Sequence, residues 1–131
     1  MNAFDVIEGL LVLEQNAGSI GDFFRDNEID CVVVYGLGRV GVRVLEALKR
    51  AGIKVECVVD RDADRITFEG VKIITPEKIK KAGSDIKAEL IVVTPMEHYY
   101  DIKEELERYT DKDIISIGEI VEYCMEEESF R

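Results

Sequence analysis

The residues best suited to chemistry in this chain are the glycines of Gly36-Leu37-Gly38-Arg39-Val40-Gly41 and an aspartate, Asp60, that follows 19 residues after Gly41. The run comes directly after an apolar, β-branched segment, Cys31-Val32-Val33-Val34-Tyr35, and opens a segment with helical spacing. It therefore stands between a strand and a helix, where each glycine has its own use. Gly36 permits a tight turn, Gly38 has no side chain to block a pyrophosphate, and Gly41 lets the helix pack closely on the strand. The free N–H groups and the dipole at the helix start hold the anion. Asp60 ends the next strand, placed to accept hydrogen bonds from both ribose hydroxyls of an adenosine. A 2′-phosphate there would meet a carboxylate, which favours NAD over NADP. Arg61 and Arg65 lie close enough to complicate that preference. The pattern predicts a nucleotide site on Gly36, Leu37, Gly38, Arg39, Val40, Gly41, Asp60 and Arg61. NAD is the first ligand expected, with NADP, CoA or a nucleotide sugar as alternatives. The competing reading is a glycine turn that binds nothing.

Thr94-Pro95-Met96-Glu97-His98 follows the fourth strand and is expected to face the same crevice, so Thr94 and Pro95 join the predicted contacts. His98 is the single histidine, a residue type suited to acid–base work. No serine or cysteine motif accompanies it, and the nearest carboxylate, Glu97, belongs to the same helix start. No catalytic residue is assigned, and whether the chain is an enzyme stays open. The acid pairs Asp62/Asp64 and Asp111/Asp113 sit between elements, where acids meet water, so no metal site is predicted. Phe4, Phe23, Phe24, Tyr99 and Tyr109 read as core or interface. Cys31, Cys57 and Cys124 are odd in number and set in apolar contexts, as reduced, buried thiols of a cytoplasmic protein would be.

The elements that must position these residues alternate. Apolar runs at Cys31–Tyr35, Val55–Val59, Val71–Ile74 and Leu90–Val93, with a weaker one at Ile114–Ile117, read as strands. One helix carries Val40, Val44, Leu45, Leu48 and Ala51 on a face and stops at Gly52; another carries Tyr99, Ile102, Leu106 and Tyr109. Thr75-Pro76-Glu77 opens a shorter helix that Gly83 ends, and Ser116-Ile117-Gly118-Glu119 is a capping box for a last helix. The run Glu126-Glu127-Glu128 reads as a solvated, fraying end. The result is an α/β fold, a Rossmann-like parallel sheet of about five strands in the order 3-2-1-4-5, with helices on both faces.

Residues 1–30 differ from the rest and are read as an N-terminal helical arm before a nucleotide-binding domain at 31–131. The arm brings Phe4, Val6, Ile7, Leu10, Leu11, Val12 and Leu13, an apolar surface wide enough to predict a homodimer, with folding back over its own sheet as the alternative. The 131 residues are 47% apolar and 34% charged, with 28 acids against 17 bases. That size suits one domain, and a net charge of −11 argues against nucleic acid and anionic lipid. No apolar run approaches the roughly 20 residues of a membrane span, and the start lacks a basic signal-peptide region.

Taken together, Val32 to Gly41, Val55 to Asp60, Gly70 to Glu77, Leu90 to Pro95 and Ile115 to Ile120 resemble a small NAD(P)-binding Rossmann-like module. Such modules occur alone or attached to bacterial surface-polysaccharide and nucleotide-sugar proteins, with CoA-binding-like domains among their relatives. The resemblance implies that Gly36, Gly38, Gly41 and Asp60 are the nucleotide contacts. It also implies a module without catalysis of its own, serving a protein partner in sugar or cell-envelope polysaccharide metabolism. The alternatives are an enzyme subunit or fragment completed by another chain, a ligand-sensing regulatory domain, or a scaffold with a vestigial loop. The glycine loop is similar to that of potassium-transport regulators, but those have a Gly-Asp pair where this chain has Ile73-Ile74-Thr75-Pro76. Thr94-Pro95 with His98 is similar to glucose-fructose oxidoreductase-like enzymes, whose Glu-Lys-Pro motif is absent here.

Overall fold

Runs of valine and isoleucine, stiff at χ1 and suited to a pleated surface, build the sheet. A computed structural model describes residues 1–16, 18–61, 67–82 and 85–129. Its strands are β1 (Cys31–Tyr35), β2 (Lys54–Val59), β3 (Thr67–Phe68), β4 (Val71–Ile74), β5 (Leu90–Val93) and β6 (Asp113–Ser116). They lie in the order β3-β4-β2-β1-β5-β6. All pairs are parallel except β3 with β4. Counted over the parallel strands alone, the order is 3-2-1-4-5, as the sequence pattern predicts. β1 is central, bonded to β2 on one side and β5 on the other, so the connections reverse direction between β1 and β5. A crevice at the carboxyl ends of these strands follows from that reversal.

The short β3 has no counterpart in the sequence reading. It forms a hairpin with β4 through Glu69 and Gly70, both in the left-handed region at φ 53° and 81°. Two such residues in succession make the turn whose twist matches the strands it joins.

Helices α1 (Ala3–Gln15), α2 (Gly21–Asp26), α3 (Arg39–Arg50) and α6 (Ile117–Ser129) contribute to the core on one face of the sheet. Helices α4 (Pro76–Ala82) and α5 (Tyr99–Glu107) contribute to the core on the other. Thr75 directly precedes α4, while Gly83, its expected stop, lies outside the described residues. Ser116 accepts a hydrogen bond from the Glu119 N–H at 3.2 Å, as its place before α6 predicts. The acidic run Glu126-Glu127-Glu128 lies within the last turns of α6, which continues to Ser129.

The N-terminal arm packs on its own chain. A capping box starts α1, with the Asn2 side chain accepting from the Asp5 N–H at 2.8 Å and Asp5 accepting from the Asn2 N–H at 3.2 Å. Val6, Leu10 and Leu13 then fall on one face and are buried in the same core as β1 and α3. Gly9, on that face, allows close contact with α6: a Cβ there would lie 2.5 Å from Val121 Cγ1. Of the seven apolar side chains on which the sequence bases a dimer, three are thus in the chain's own core. Ile7 and Val12 are half-buried, and Phe4 and Leu11 remain exposed at 71% and 53%. Among the described residues, no helix is long and apolar enough to cross a membrane.

Candidate functional site

The crevice begins where β1 runs into Gly36, whose φ of +100° only glycine adopts without strain. A Cβ at Gly36 would lie 2.5 Å from Thr94 Oγ1, and one at Gly41 would lie 2.2 Å from the Gly36 carbonyl oxygen. The chain's own packing therefore requires both glycines. Gly38 is different. It precedes α3 in an extended conformation, it is exposed, and an added Cβ would meet nothing within 4 Å.

Hydrogen bonds hold the loop in place. Gly36 N–H donates to the Val59 carbonyl at 2.7 Å, and Leu37 N–H donates to Asp60 Oδ2 at 2.7 Å. Asp60 is anchored in turn by its own N–H on the Ile74 carbonyl at 2.9 Å. Thr94 is buried, and its hydroxyl lies 3.0 Å from the Tyr35 carbonyl and 3.1 Å from that of Gly36. It braces the loop from beneath.

A cavity of about 370 Å³ opens at the carboxyl ends of β1, β2 and β5, against α5. Of the predicted contacts, Gly36, Asp60, Arg61 and Pro95 border it, as does His98. Gly38 on the loop and Arg39 at the start of α3 are exposed, Leu37 is half-buried, and Val40 is turned into the core. The sequence reading missed Tyr35, Val59, Asp101, Ile102 and Glu105, which line the same cavity. The last three had a signal: with His98 they recur at i, i+3, i+4 and i+7, one stripe of a helix.

A second cavity of about 380 Å³ adjoins the first and shares Tyr35, Arg61 and Glu105 with it. Its other walls come from Pro76, Glu77 and Lys80 of α4. Lys80 Nζ lies 2.8 Å from Glu105 Oε1, and this hydrogen bond and charge raise the lysine's pKa. Burial pushes the Tyr35 phenol up, opposed in part by the guanidinium of Arg61, which hydrogen-bonds it. Burial also pushes the thiols of Cys57 and Cys124 up to about 11 and raises that of Cys31. None of the three is a thiolate at neutral pH. Among the described residues, no group of three or more histidines, cysteines and carboxylates is placed to hold a metal ion.

The family model described as C2185-like, N-terminal, matches residues 28–117. That stretch takes in all six strands and every residue of the first cavity, and it leaves out α1, α2 and all but the first residue of α6. No curated protein matches the chain.

Proposed function

The chain belongs to the C2185-like, N-terminal family, and on that premise we propose that it is a nucleotide-binding module with NAD(H) as its ligand. The observation that carries this reading is Gly38. Gly36 and Gly41 are glycines because the fold leaves no room for a Cβ, whereas Gly38 faces open space that no part of the described chain fills. A glycine there leaves the backbone N–H groups at the start of α3 open to a pyrophosphate.

The neighbouring groups suit the rest of the molecule. Asp60 stands beside the loop with one oxygen on the Leu37 N–H, and a carboxylate is the acceptor that ribose hydroxyls call for. The cavity lies near the lower end of the roughly 300–1,000 Å³ range of ligand sites, a size for one nucleoside. NAD, when bound, would supply hydride chemistry; this chain's residues would bind and orient it. A partner chain in sugar or cell-envelope polysaccharide metabolism would supply the substrate, an assignment that rests on the sequence resemblance.

Thermal unfolding with ligand tests the reading. At a hundredfold excess over Kd, NAD should stabilise the fold by about 2.7 kcal/mol. Gly38→Val should remove that shift while changing the unliganded stability by no more than about 0.5 kcal/mol. If NAD, NADP, CoA and a nucleotide sugar all leave the melting temperature unchanged at millimolar concentration, the reading fails. Asp60 sharpens it: NAD should bind at least about tenfold tighter than NADP, or about 1.4 kcal/mol. Asp60→Ala should narrow that gap, and equal binding by the unmodified protein would transfer ribose recognition to Arg61.

A further inference from the structure

The cavity beside Gly36 has two kinds of wall. Val59, Pro95 and Ile102 are apolar and offer contact to the faces of any planar ring. The α5 wall is different, because Asp101 and Glu105 stand on the same side of the helix as Ile102 and border the cavity with it. We infer that Asp101 and Glu105 choose among nucleobases and favour those with an exocyclic amino group. This inference rests on the nucleotide reading of the site.

Ionised carboxylates only accept hydrogen bonds. They match an amino group such as that of adenine or cytosine and oppose the carbonyl oxygen that hypoxanthine or uracil presents in its place. Glu105 is held by Lys80 at 2.8 Å, which fixes its position and leaves further lone pairs open. Asp101 is exposed and makes no hydrogen bond or ion pair among the described residues. The donors that border the cavity include Arg61, the Tyr35 phenol and His98 at the start of α5. Within α5 itself, the cavity is bordered by the two carboxylates and the apolar Ile102.

The test uses pairs that differ only at this group. NAD and its hypoxanthine analogue, and separately CDP and UDP, are titrated into the full chain by calorimetry. The amino-bearing member of each pair that binds should be about tenfold tighter, the scale of a hydrogen bond to a charged, partly exposed group. Asp101→Ala should reduce the preference to about threefold or less without changing the melting temperature. Glu105→Gln, whose amide can donate to a carbonyl, should narrow it as well. Equal affinity within a pair that binds overturns this inference and leaves the nucleotide reading standing. So does a preference that survives both substitutions. If no member of either pair binds, this inference fails, and the melting panel of NAD, NADP, CoA and a nucleotide sugar decides whether the nucleotide reading fails with it.

Discussion

On one face of the sheet Val6, Leu13, Phe24, Leu48 and Ile120 are sealed from solvent by four helices. On the other, Tyr35, Val59 and Ile102 belong to the core and also border a cavity of about 370 Å³, with the seven residues of α4 and the nine of α5 as its helical cover among the described residues. The first face gains its packing from elements outside the family's matched stretch, since α1, α2 and most of α6 lie beyond residues 28–117. The second is built wholly within that stretch. The four-helix cover and the crevice beside Gly36 therefore lie on opposite sides of one sheet. The fully buried side chains of the first core tolerate no loss of volume, while those that border the crevice have space in which to change.

Phe24 gives the largest contrast. It is fully buried between α2 and the first-face core, and Phe24→Ala should destabilise the chain by about 3–5 kcal/mol in urea titrations. Ile102→Ala, whose side chain already borders open space, should cost nearer 2 kcal/mol and weaken nucleotide binding as well. Equal losses at the two sites would break the comparison between the faces. A smaller effect is expected at Gly41, where a methyl group would press on the Gly36 carbonyl. Gly41→Ala should cost about 1–3 kcal/mol and weaken ligand binding too, because it displaces the loop; Gly38→Val should separate the two effects.

The smallest effect concerns a link within the first face. Tyr123 of α6 donates to an Asp26 carboxylate oxygen in α2, and this bond pushes the phenol up to about 12. A pKa raised in the folded state adds stability that is fully present below the unfolded value near 10. That stability is lost as pH rises toward 12. Chemical denaturation between pH 9 and 12 should show this decline, and Tyr123→Phe should flatten it. The same slope in both proteins would remove the bond from the account of this face.

The parallel strands and their order were legible because continuous β-branched runs, each followed by a helix with its own stop, leave few topologies open. The β3–β4 hairpin was not: a two-residue strand is too short to show a period, and Glu69 is an unusual residue for a left-handed turn position. At the site, Gly36 and Gly41 could be read because each meets a backbone demand of the turn, and Asp60 because it ends the strand that follows at the spacing the glycine motif expects. Tyr35 could not, since it looks like an ordinary strand residue; Asp101 and Glu105 share a helical stripe with His98 and Ile102, but acids at that spacing look like the solvated side of a helix.

Local chemistry thus determined the glycine loop, the strand-helix rhythm and the acid at the end of β2, because each depends on residues that are neighbours in the chain. Only the folded structure decided which face α1 covers and which loop position is empty. It also decided which carboxylates stand around the crevice. Those depend on contacts across long separations: Gly9 against Val121, Gly36 against Thr94, and α5 beside the carboxyl end of β2. Side chains distant in sequence meet only when the sheet order brings their strands and helices together, and the spacing of residues along the chain does not record which of them will touch.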